Sequence, residues 1–145
     1  MKKVFLISLF LLAALAVMPV NAQSEEVGTL TINITGFQND HGFAMVALFN
    51  SEDGFAGKEK AFRDAKVKVK DKKATCEFKD IPKGTYAVRL YHDENANGKL
   101  DKNFIGFPKE AYGVSNNAKN KMGPPKYDNA KFTIERPKII DIKVD

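Results

Sequence analysis

The chain has 145 residues, 43% hydrophobic and 28% charged, with a formal charge of +5, no tryptophan and one cysteine. That length suits one ordinary domain with a single core. A lone cysteine excludes an internal disulfide, and a mild positive charge carried by scattered lysines gives no footprint for a nucleic acid.

At the N-terminus, Lys2 and Lys3 precede an apolar stretch from Val4 to Val17 that is short for a membrane span. Met18 and Pro19 break it, and Val20-Asn21-Ala22 suits a signal peptidase cutting before Gln23. The pattern predicts a signal peptide over 1–22 and a domain over 23–145. It further predicts export to the periplasm or beyond the cell, with no membrane span after cleavage. Without Lys2 and Lys3 the formal charge falls from +5 to +3.

Downstream, the residues read as strands separated by polar turns. Thr29 to Thr35 alternates, with Leu30, Ile32 and Ile34 toward the core. Phe43 to Phe49 is nearly continuous apolar sequence, as expected of a central strand covered on both faces. Lys58 to Asp64 suggests a short helical turn. Val67 to Lys70 and Ala74 to Phe78 are two further strands. Lys66, Lys68 and Lys70 alternate with Val67 and Val69 and so form a solvent face. Ala74, Cys76 and Phe78 share one face, which makes Cys76 a small buried hydrophobe rather than a nucleophile. Pro82 and Gly84 turn the chain into a strand from Tyr86 to His92. Lys102 to Asn129 is punctuated by Gly and Pro but carries Phe104, Phe107, Tyr112 and Tyr127. It reads as an ordered loop packed on the sheet. Ala130 to Ile134 and Ile139 to Val144 complete seven strands. The expected fold is all-β, a single seven-stranded antiparallel sandwich with one long ordered loop.

The run His92-Asp93-Glu94-Asn95-Ala96-Asn97-Gly98-Lys99-Leu100-Asp101 stands out. Oxygen-bearing side chains recur at Asp93, Asn95 and Asn97, Gly98 follows, and Asp101 takes the ninth place. A hard cation wants six to eight oxygens gathered by a tight turn, and this is the opening of such a calcium loop. The backbone carbonyl of Lys99 would add a ligand. The twelfth place, where a bidentate glutamate belongs, is Phe104, and no EF-hand helices flank the run. Asp101 or Glu110 would therefore have to close the site. An Asn- and Asp-rich turn that binds nothing has the same composition.

The pattern Pro82-x-Gly84-x-Tyr86, the run His92 to Asp101, Gly106-x-Pro108-x-Glu110-x-Tyr112-Gly113-x-Ser115-Asn116, and Gly123-Pro124-Pro125 resembles the DUF2141 family of exported bacterial proteins. Gly28-Thr29-Leu30 and Val46 to Ser51 fit as well, and Ala111 departs where glycine is common. The resemblance covers essentially the whole exported part. It implies an immunoglobulin-like or transthyretin-like sandwich and brings no known activity. Adhesin-stalk modules with the same Pro-x-Gly-x-Tyr turn include some that hold calcium in Asp-x-Asn-x-Asn-Gly loops, a fold-level analogy.

These features predict a binding or structural module rather than an enzyme, with calcium as its cofactor. Asp93, Asn95, Asn97, Lys99, Asp101 and Glu110 are the expected ligands. Its partner would be an envelope protein, a carbohydrate or a small ligand. The alternative is a small envelope hydrolase or ligand carrier with a pocket around His92, Glu110 and Ser115, bordered by Tyr112 and Asn116. His92 beside carboxylates suits a general base, but no paired histidine motif accompanies it.

Overall fold

The computed structural model describes residues 26–145. The expected signal peptide and its cleavage point lie outside the described residues. Strand β1 (Val27–Thr35) begins the domain, followed by β2 (Phe43–Phe49), β3 (Arg63–Lys68), β4 (Lys73–Pro82), β5 (Gly84–Asp93), β6 (Tyr112–Val114), β7 (Phe132–Ile134) and β8 (Lys138–Lys143). They form two sheets. One has the order β4-β1-β8, and the other the order β3-β2-β5-β6, with β7 paired to the start of β5. The architecture is all-β and sandwich-like.

Two expectations about the strands fail. There are eight strands, because β6 is a three-residue strand inside the stretch read as loop, too short to show a two-residue period. The sheets are also not wholly antiparallel: β8 runs parallel to β1, Leu30 opposite Lys138. Alternation along Ile140, Ile142 and Val144 reveals which side is buried and carries no information on strand direction. The helical turn expected over Lys58 to Asp64 is displaced to α1 (Glu52–Phe55). There the Ser51 hydroxyl accepts the Gly54 N–H at 3.0 Å, and Glu52 and Asp53 occupy the first turn, a standard helix start. A second one-turn helix, α2 (Tyr127–Ala130), precedes β7.

The core forms where the alternating faces meet. Leu30, Ile32 and Ile34 of β1 pack with Val46 and Leu48 of β2 and with Val88 and Leu90 of β5, all buried. Fully burying each such side chain is worth about 1.5–3 kcal/mol. Cys76 is buried with them, and its thiol is pushed up to about 11 by burial, as befits a packing residue. β2 alternates buried and half-buried rather than being covered throughout. On its outer side the exposed Lys66 and Lys68 ammonium groups stand 4.0 and 5.0 Å from the Phe43 ring centroid. A second cluster of Phe49, Phe55, Ala87, Val114 and Ala130 covers the outer face of β5. Tyr86 to Val88 are therefore buried on both sides.

Both ends of β5 are fixed. At its start, the Tyr86 hydroxyl donates to the Pro82 carbonyl at 2.8 Å, which clamps the Pro82–Gly84 turn. At its end, the β1–β2 connection folds over Asp93. Gly42 has φ +60°, and a Cβ built there would stand 1.8 Å from the Asp93 carbonyl oxygen. Only glycine allows this approach, because it lacks the Cβ and tolerates positive φ. Gly42→Ala should lower stability by about 3 kcal/mol, combining overpacking with left-handed backbone strain. Urea unfolding with an unchanged midpoint would show that the contact is not this tight.

Candidate functional site

β5 carries Asp93, whose residue is fully buried, to the head of the loop. Its Oδ1 accepts the Asn97 N–H at 3.0 Å and its Oδ2 the Gly98 N–H at 2.9 Å. One carboxylate thus bends the chain through five residues, and Gly98, at φ +75°, completes the bend. Asn95 Oδ1 accepts the Asn97 N–H at 3.1 Å, and Asn97 Oδ1 accepts the Lys99 N–H at 2.8 Å. The amide nitrogens of Asn95 and Asn97 then donate to the two oxygens of Asp101, at 2.6 and 3.0 Å. The alternating polar residues do turn inward, and the sequence period reflects that.

Glu110 has a different place from the one expected. Its Oε1 accepts the Glu94 N–H at 3.0 Å and its Oε2 the Asp101 N–H at 2.9 Å, and the residue is buried. It ties the two ends of the loop together through the backbone. Asn39 supports the same end from the β1–β2 connection, donating to Glu94 Oε2 at 3.0 Å. The neighbouring Asp40 accepts the Asp71 and Lys72 N–H groups, the Lys72 bond being the main cause that holds its carboxyl below the usual range. Neither supporting residue is visible from sequence, since both look like ordinary turn formers.

Negative charge accumulates here. Among the described residues, no lysine or arginine pairs with Asp93, Glu94, Asp101 or Glu110. The Tyr91 hydroxyl feels it: burial, and then the charges of Asp93 and Glu110, push its pKa up. Among the described residues, no three His, Cys, Asp or Glu side chains converge as a metal group. A cation in this loop would have to take amide and carbonyl oxygens alongside carboxylates, a donor set that hard cations accept.

Of the alternative pocket, Ser115 is not brought to His92 and Glu110, although the His92 N–H donates to the carbonyl of Ala111, the residue after Glu110. His92 is fully buried, with its ring edge-on to Phe37 at 4.9 Å. Its Nε2 lies 2.7 Å from the His41 carbonyl, so that nitrogen carries a proton. Its Nδ1 has no hydrogen-bond partner and lies 3.6 Å from Glu94 Oε1. Ser115 is also fully buried. Its hydroxyl donates to the Ala130 carbonyl at 2.6 Å and accepts the Val88 N–H at 2.9 Å. Val88 stands four residues before His92 on β5, about 13 Å along an extended strand. Asn116, at φ +60°, donates to the Asn129 and Lys131 carbonyls at 3.1 and 3.0 Å, and so holds α2 in place. Tyr112 exchanges backbone hydrogen bonds with Asp145 and borders a groove of about 330 Å³. None of His92, Glu110 and Ser115 lines that groove.

The aromatics of the long stretch divide. Tyr127 packs edge-on to Phe55 at 5.7 Å. Phe104 and Phe107, expected against the sheet, are instead exposed at 99% and 64%. Asn103 explains the difference. Its Oδ1 accepts the Ile105 and Phe107 N–H groups, and its backbone bonds to Phe107 and Gly106, closing a turn too tight to fold back.

The family described as "Uncharacterized protein conserved in bacteria (DUF2141)" matches residues 32–141. No curated protein matches the sequence. One solved structure, titled "Pilus-presented adhesin, Spy0125 (Cpa)", is similar at a TM-score of 0.30 and 16% identity, over 81% of this chain. The chain spans only 27% of that adhesin's length.

Glu110→Ala should cost about 3 kcal/mol, two charge-assisted bonds to backbone, and should speed amide exchange at Glu94 and Asp101. Unchanged exchange at both would remove its tying role. Ser115→Ala should cost about 1–3 kcal/mol through the unpaired Val88 N–H, with no change in exchange at Asp101. A loosened Asp101 would show that the two regions are coupled.

Proposed function

The chain belongs to the DUF2141 family, and we propose that it is an exported binding module whose Asp93–Asp101 loop takes calcium. The observation that carries this reading is Asp93, a carboxylate without exposed surface and without a cationic side chain beside it. Its two backbone N–H partners satisfy its hydrogen bonds but leave its charge uncompensated, and a bound cation would offset that charge. Asp93, Asn95, Asn97, Asp101 and the Lys99 carbonyl would hold the ion, and Glu110 would tie the loop shut behind it. Export rests on the Lys2 to Ala22 pattern. Outside the cell, millimolar calcium makes a weak site sufficient.

The ion must compete with the loop's own bonds. Both amide nitrogens now face Asp101, and binding requires the amide oxygens in their stead. The gain is a bridge between the end of β5 and Asp101, whose carbonyl accepts the Lys109 N–H at 2.8 Å. Calcium would thereby stiffen the segment leading to β6, which would display a surface to an envelope protein, a carbohydrate or a small ligand. A binding role suits the site better than hydrolysis, since the Ser115 hydroxyl is committed to backbone and far from His92.

Thermal unfolding in chelator, in magnesium and in millimolar calcium tests this. Calcium at a hundred times its dissociation constant should add about 2.7 kcal/mol, a rise of several degrees. Magnesium should add little, and Asp93→Asn should abolish the rise. Equal midpoints in calcium and chelator would leave the loop as a hydrogen-bonded turn.

A further inference from the structure

We infer that the turn Asn103–Pro108 is a docking tip that inserts Phe104, Ile105 and Phe107 into the surface of an anionic lipid bilayer. Isolated exposed apolar residues are ordinary, but three large ones on a single short turn are a contiguous patch with a purpose. Their exposures are 99%, 62% and 64%. The turn is not loose chain: Lys102 bridges to Pro108, and Asn103 caps the Ile105 and Phe107 N–H groups. The rings are therefore held out in water by a built support.

The rim identifies the occupant. Lys102 and Lys109 flank the tip and Lys99 lies just before it, all exposed. Among the described residues none of the three forms an ion pair. The carboxylates of the same segment are engaged locally: Asp93 and Glu110 are buried against backbone N–H groups, Asp101 accepts the Asn95 and Asn97 amides, and Glu94 accepts the Asn39 amide. Aromatic and aliphatic side chains at an apex, with cations set behind them, match a bilayer whose acyl boundary lies beneath anionic headgroups. A stable protein interface needs about 800 Å² from each partner, more than three side chains on a convex tip supply. The apex and its flanking Lys102 and Lys109 lie outside the loop read as the calcium site, and Lys99 lies within it.

The chain has no tryptophan, so Phe104→Trp places a single tryptophan at the apex, excited selectively over the tyrosines. Ile139→Trp, on β8 at 69% exposure, is the control. Phosphatidylcholine–phosphatidylglycerol vesicles should move the emission at position 104 to shorter wavelength, and brominated acyl chains should quench it. Position 139 should not respond. This local readout is blind to attachment through any other segment. Lys102→Gln with Lys109→Gln should weaken partitioning about 25-fold, roughly fivefold for each lysine near an anionic surface. The measurement is made in calcium and in chelator. No shift at position 104 in either overturns the docking tip, and so does an equal shift at both positions. A shift on concentrating the protein without lipid would assign the tip to a second copy and overturn it too. The thermal experiment with calcium decides the metal reading separately.

Discussion

Asp93 is where the sheet ends and the loop begins, and both depend on its carboxylate. A charged group with no exposed surface needs donors on every side open to it. The chain supplies them by curling, so that the Asn97 and Gly98 N–H groups meet the two oxygens. The curl fixes the direction in which Asn95, Asn97 and Asp101 point. Asp93 is buried at the end of β5, opposite Phe43 of β2. The β1–β2 connection seals the end, with Gly42 against the Asp93 carbonyl.

Glu110 makes this arrangement a closed unit. By accepting from Glu94 and Asp101 it binds the entry of the loop to its ninth residue. The backbone cost of ordering such a loop, about 1–2 kcal/mol per residue, is thereby shared between side-chain bonds and packing. What the loop's carboxylates lack, among the described residues, is a lysine or arginine partner. Four carboxylates fall within eighteen residues of sequence, and the Tyr91 hydroxyl is pushed up first by burial and then by the charges of Asp93 and Glu110. The oxygens of the loop are of the kind hard cations use.

Beyond the loop, the same device is used for display. Asn103 caps the next turn as Asp93 caps the first, and the result is an apex of apolar side chains with lysines behind it. Two adjacent capped turns thus follow from the end of β5. By contrast, Ser115 and Asn116 spend their polar groups on joining β5, α2 and β7, and act as internal fastenings.

Much of this was legible in the chain itself. Alternation along Leu30, Ile32 and Ile34 and along Ala74, Cys76 and Phe78 marks buried faces, because the side-chain period of a strand is two. The Asp93–Asp101 spacing marks an inward-turning loop, because local hydrogen bonds to the nearest N–H groups depend on spacing alone. Family membership was legible for the same reason, as motifs at fixed separations. The direction of β8, the existence of β6 and the outward aim of Phe104 and Phe107 were decided only in three dimensions. Each depends on a partner distant in sequence or on a backbone cap, and hydrophobicity cannot tell a ring that fills a core from one held out to meet a surface. Glu110 shows the same limit: the sequence offers it as a ligand, and only the fold shows its carboxylate accepting the Glu94 and Asp101 N–H groups.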